Sequence, residues 1–191
     1  MVNEVVSRRG FLGGAAGTAL AVSATSAQPR MEEKAADERA RVVLMRDLNA
    51  LDLRGKPYRP ILEIMLDMAL ARYFEASDER GAWKRVVGPE DVVGIKTNRW
   101  RHLRTPKVIE EILRERVVAA GVPAERVAVD DRSVRRNPIF EKATALINVC
   151  PMRTHHWAGV SGVIENYIEF SESPTKWRAD GCANLGGLWE L

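Results

Sequence analysis

Four short apolar runs recur along this chain: RVVLMR at 41–46, DVVGIKTN at 91–98, RVAVD at 126–130 and ALINV at 145–149. Each is too short for a helix, and three of the four lead into polar residues. Between them the apolar spacing changes to that of helices. Ile61, Leu62, Met65, Leu66, Met68, Ala69 and Phe74 share a helical face up to about Ala76. Val108, Ile109, Ile112, Leu113 and Val117 share another. Thr105 as N-cap and Pro106 at the first helical position open that second helix, Glu110 and Glu111 favour its early turns, and Gly121 to Pro123 stop it. A further helix is predicted over 162–170. Residues 47–60 carry loop signals, and 78–88 read as a connector anchored by Trp83. Strands alternating with helices imply an α/β fold: a mainly parallel open sheet with helices on both faces.

The body of the domain is predicted over 41–191. Residues 28–40 are polar and read as a tether. Residues 1–27 have the form of an export leader. Ser7-Arg8-Arg9 stands beside Phe11 and Leu12, followed by a weakly apolar Gly/Ala segment that ends in small residues at Ala27. This resembles a twin-arginine signal, which implies passage through the twin-arginine translocase to a periplasmic or other extracytoplasmic location. The alternative is a chance arginine pair before a general secretory leader.

Charge narrows the function classes. Twenty-nine basic and 26 acidic residues give +3 without any long block of one sign, so a nucleic-acid partner is not indicated. No apolar run in the body is long enough to span a membrane. The two cysteines, Cys150 and Cys182, form no CxxC or iron–sulfur pattern, although they could pair with each other in an oxidising compartment.

Chemistry is expected at the strand carboxyl ends, where open α/β sheets bind ligands. The 91–98 run ends in Lys96, Thr97 and Asn98, and a basic stretch with Arg99, Arg101, His102 and Arg104 follows. That grouping suits a small anion, against the plainer reading of a solvated basic loop. The 126–130 run ends in Asp130, with Asp131, Arg132 and Ser133 after it. The 145–149 run leads to Cys150, Arg153, His155 and His156. One of the two imidazoles is expected to face the crevice, because neighbours on an extended chain point opposite ways. His155 is the candidate acid/base. The alternatives are a soft metal held by Cys150, His155 and Asp130, although no standard zinc spacing is present, or a purely structural role. Lys96 and His155 are expected at one rim. Cys150, at a buried strand end, reads as an inert small hydrophobe rather than a nucleophile.

Four stretches then resemble one family, domain of unknown function 362. They are DVVGIKTN at 91–98; TPKVIEEI with the following AGVPAERVAVDDRS; ATALINVCPMRTHHWAGVSGVIENYI at 143–168; and SPTKWRADGCANL at 173–185. The resemblance covers about residues 40–191 and implies ligand contacts at Lys96, Asn98, Arg153 and Asn166. It names no reaction; an enzyme or enzyme remnant using a small anionic substrate or redox cofactor is one expectation. A non-catalytic accessory of a periplasmic redox system, or a non-functional truncated copy, is the other. The chain departs from the family pattern in having Arg153 for a lysine, Glu165 for a lysine, and Trp177-Arg178 for a Tyr-His pair. Glu165 reverses a charge near the expected site. The family pattern also continues beyond the last residues here, so an incomplete sheet that needs a protein partner is expected.

Overall fold

The computed structural model describes residues 40–190, with the side chains of 189 and 190 left aside. The expected leader and all of the tether except Ala40 lie outside the described residues. From Arg41 onward the chain belongs to one compact unit.

Three parallel strands form the sheet: β1 (Val93–Lys96), β2 (Val127–Asp130) and β3 (Ala145–Asn148). Their order is β2-β1-β3, with β1 central. The fold is therefore α/β with an open parallel sheet. The registers align Val93 with Val127 and Ala145, and Lys96 with Asp130 and Asn148. The three carboxyl ends consequently lie in one row.

Helices cover both faces. α1 (Arg59–Phe74) and the short α2 (Glu79–Trp83) pack with α3 (Lys107–Ala119), and α3 lies against β1 and β2. That face buries Trp83, Val93, Ile95, Leu113, Val117 and Val127 in one core. Each fully buried aliphatic side chain contributes roughly 1.5–3 kcal/mol. α4 (Pro138–Glu141) covers the other face of β1 and β2 and buries Phe140. Gly94 makes that approach possible: a Cβ there would stand 2.8 Å from both the Phe140 ring and Leu146. Asp91 pins the start of the sheet. It accepts hydrogen bonds from Thr144 Oγ1 and Gly88 N–H, which hold its carboxyl below the ordinary aspartate value.

Beyond β3 an antiparallel hairpin follows, β4 (Arg153–His155) and β5 (Gly159–Ser161). Then come α5 (Val163–Asn166), a 3-10 turn (Tyr167–Phe170) and α6 (Pro174–Arg178).

Three details differ from expectation. Residues 41–46 form no strand. They run extended with Val42 and Leu44 exposed, while Arg41 donates to Tyr73 O near the end of α1. An apolar run supplies strand propensity but not a partner ladder, and none is made here. Thr105 does not cap α3, which begins at Lys107 with Pro106 as N-cap. Its hydroxyl accepts from Asn98 N–H and donates to Val149 O, joining the loops after β1 and β3. The helix expected over 162–170 is a single α turn passing into 3-10. Cys150 and Cys182 are both free thiols.

Candidate functional site

The aligned strand ends are closed by a buried polar network. Lys96 is fully buried at 0% exposure, which decides what it can do. Its ammonium donates to Asp131 Oδ1 at 2.6 Å, to Thr97 O at 2.8 Å and to Asn166 Oδ1 at 3.0 Å. An ammonium has three N–H groups, so these contacts use all of them. Asp131 accepts a second bond from Arg99 N–H. Asn166 Oδ1 also accepts from Asn98, and its amide donates to Thr97 O and Asn148 Oδ1. Three strand ends and α5 are thereby tied at one point.

Lys96 thus presents no free N–H to a rim ligand, and this departs from the role expected of it. Burial of an unpaired charge is costly, and the sequence satisfies it internally with Asp131 and Asn166. Asn98 and Asn166 do converge with Lys96, as expected, but as floor of the site. In the order β2-β1-β3 the topological switch point lies between β1 and β3. The Asn166 side chain bridges those two strand ends itself.

Arg153 stands above this floor. Its Nη1 donates to Asn98 Oδ1 over a long 3.4 Å, and the guanidinium carbon lies 4.7 Å from the centre of the Trp100 ring. Its Nε is sealed from solvent and has no acceptor. Among the described residues no carboxylate pairs with it. Trp100, with the His102 ring centre 4.5 Å from its own, also lines a cleft of about 570 Å³ together with Arg99, Arg101, Asp130, Asp131, Arg132 and Ser133. The loop 99–104 carries three of these seven residues, and the end of β2 with the segment after it carries the other four. The loop is pinched at its base, where Thr105 N–H donates to Asn98 O and Asn98 N–H donates to Thr105 Oγ1.

His155 shares the alternating face of β4 with Arg153. Its Nδ1 accepts Ala158 N–H at 3.2 Å, which fixes the hairpin turn. The two histidine rings do not diverge as an extended chain would require. They lie 5.4 Å apart, because the chain turns at His156, whose ring packs on Trp157. Among the described residues no three His, Cys, Asp or Glu side chains form a metal-binding group, so Cys150, His155 and Asp130 are not brought together as a ligand set. Asp130 instead accepts from Asp131 N–H and Asn137 Nδ2. Burial pushes the Cys150 thiol above its ordinary pKa, against the opposing pull of Arg153. A thiol so placed is not an activated nucleophile.

Glu165 is buried rather than turned to the cleft. It accepts from Ser161 Oγ at 2.5 Å, and Arg178 Nε lies 4.0 Å away. The participants that sequence reasoning undervalued are Asp131, Asn148, Trp100 and Thr105. For Asp131, Asn148 and Trp100 the signal was position at or just beyond a strand end; Thr105 stands instead just before α3.

Fold and site together define an open parallel α/β domain with a cationic cleft at its strand carboxyl ends. No family model, curated protein or solved structure matches the chain.

Proposed function

We propose that this chain is an exported α/β protein of the domain of unknown function 362 type that binds a small anionic ligand at its strand carboxyl ends. One observation carries the binding reading. Arg101 and Arg132 line the cleft, and Arg153 stands against its Trp100 wall, all without a carboxylate partner among the described residues, and Arg153 Nε lacks any acceptor. The two aspartates of the cleft are already engaged, Asp131 by Lys96 and Asp130 by Asn137. Guanidinium groups left over in this way suit a phosphate or carboxylate, which they can grip in bidentate fashion.

Binding without turnover is favoured over catalysis. His155 spends Nδ1 on its own turn, Lys96 is saturated, and the Cys150 thiol is pushed up. An enzyme acting on the same anion is the second reading, with His155 Nε2 as its acid/base. The family reading is supported by the meeting of two departures from the family pattern: Glu165 and Arg178 face each other, so the reversed charge has an opposite charge beside it. A protein partner at the β3 edge belongs to the same reading, since Leu146 on that edge strand is 44% exposed.

The binding reading is tested by calorimetric titration with inorganic phosphate. The full chain should bind with an affinity that falls as salt rises. The double variant Arg132→Gln/Arg153→Gln should bind at least about tenfold more weakly, the scale of one lost charge-assisted hydrogen bond. Equal binding by the double variant would sink it. Export is tested separately. Arg8→Lys with Arg9→Lys should leave the precursor in the cytoplasm on cell fractionation, and normal periplasmic levels would refute the twin-arginine route.

A further inference from the structure

The loops that follow β1 and β2 leave the sheet side by side, because Lys96 and Asp130 share one register position. Together they carry Arg99, Arg101, Arg104, Arg132, Arg135 and Arg136, all exposed. No acidic residue lies between Asp91 and Glu110, or between Asp131 and Glu141. These six arginines exceed the +3 of the whole chain, so the rest of the chain is net acidic. Among the described residues only two of them reach a carboxylate, and both loosely. Arg99 Nη2 lies 3.7 Å from Glu110, and Arg135 Nη2 lies 3.5 Å from Glu172. Asp130 and Asp131 are engaged by Asn137 and by Lys96.

The loop 99–104 adds a second feature. Its ends are tied together, Thr105 N–H to Asn98 O at 2.7 Å and Asn98 N–H to Thr105 Oγ1 at 3.1 Å. All six residues between them are exposed. Arg153 and His102 pack on Trp100, yet 39% of it stays in water, and Leu103 is 47% exposed. Apolar side chains held in water among arginines suit a membrane–water interface. There an indole settles at headgroup level, an aliphatic side chain enters the acyl boundary, and arginines meet lipid phosphates. We infer that this edge of the molecule docks on the surface of an anionic lipid bilayer, with Trp100 and Leu103 entering the headgroup layer and the arginines of the two loops facing the lipid phosphates. A soluble polyanion would match the arginines but leave Trp100 and Leu103 in water, which decides for the bilayer. The inference goes beyond the small-anion reading, because it uses the exposed loop and not the interior of the cleft.

The test is co-flotation of the full chain with two kinds of vesicle, phosphatidylglycerol mixed with phosphatidylcholine and phosphatidylcholine alone. The parent should prefer the mixed vesicles, and the preference should shrink as salt rises. Arg101→Gln with Arg104→Gln should weaken binding to mixed vesicles by about twenty- to thirtyfold, at about fivefold for each basic side chain near an anionic surface. Leu103→Ser should weaken it by about tenfold without changing the salt dependence, since burial of apolar surface is not screened. Arg101→Lys with Arg104→Lys, and Leu103→Trp, should keep parental binding. The replaced side chains are exposed, so unfolding midpoints should equal the parent's. All variants share residues 1–39, so any affinity of that segment for lipid is common to them and cancels in the comparison. No preference for the mixed vesicles, or parental binding by the double glutamine variant, would overturn the inference. Parental binding by Leu103→Ser would also overturn it, leaving a patch for a soluble polyanion. A chain that binds phosphate in calorimetry but shows no loop-dependent vesicle binding would sink this inference alone and leave the small-anion reading standing.

Discussion

Lys96→Met should destabilise the domain by about 3–5 kcal/mol, the usual cost of stranding one partner of a buried ion pair. Methionine fills much of the lysine stem's volume, so packing changes little. What is lost is the ammonium that donates to Asp131, Thr97 and Asn166. Asp131, only 5% exposed, would keep a buried carboxylate with Arg99 N–H as its remaining partner among these bonds. A domain of this size has a total stability of only about 5–15 kcal/mol, so the variant should lie near the folding threshold. The double variant Lys96→Met/Asp131→Leu removes both charges and should recover a large part of the loss. Urea unfolding of the two variants and the parent checks this. A single variant within about 0.5 kcal/mol of the parent would show that the pair adds little and that Asp131 is hydrated on its own.

That pair also shows what the sequence made legible. Lys96 and Asp131 lie 35 positions apart, and nothing local announces their contact. The inference that strand ends meet at one sheet edge brought both to the right place. The register then aligned Lys96 with Asp130 and Asn148. Period and length sufficed for β1, β2, β3 and α3, because their apolar runs are bounded by proline, glycine or polar clusters. The role of Lys96 was illegible for a physical reason. Whether a lysine at a strand end greets a ligand or an internal carboxylate depends on side chains from distant segments, here Asn166 from α5.

The hairpin was illegible too. Arg153–His155 and Gly159–Ser161 are three-residue strands without an apolar alternation, so they read as loop. Residues 41–46 failed in the opposite direction. Their apolar run has the composition of a buried strand, yet strand formation requires an accepting edge as well as propensity. Thr105 is intermediate. Its residue type correctly signalled a side-chain hydrogen bond to backbone, but the bond goes to Asn98 and Val149 O rather than to the first turn of α3.

The second large effect is expected away from the cleft, where α1, α2 and α3 meet. Asp67 is 4% exposed. It accepts from Trp83 Nε1 at 2.7 Å and receives Arg116 in a fork, Nε at 2.9 Å and Nη2 at 2.8 Å. One carboxylate thus joins three helices. Asp67→Ala would leave the buried Trp83 indole N–H without its acceptor. Arg116 would lose its partner too, although Glu63 lies 3.9 Å from its Nη2 and part of the guanidinium reaches solvent. The lost bonds are charge-assisted, worth about 1.5–3 kcal/mol each, and the partly exposed arginine recovers some of its share from water. The net loss should be about 2–4 kcal/mol. Asp67→Asn should cost less, since its amide oxygen can still accept from Trp83. Because Trp83 belongs to the main core, the effect should appear as a shift of the whole unfolding transition rather than as local fraying. Thermal and urea unfolding of both variants separates these outcomes. Equal destabilisation by alanine and asparagine would mean that the fork to Arg116, and not the indole bond, holds the three helices together.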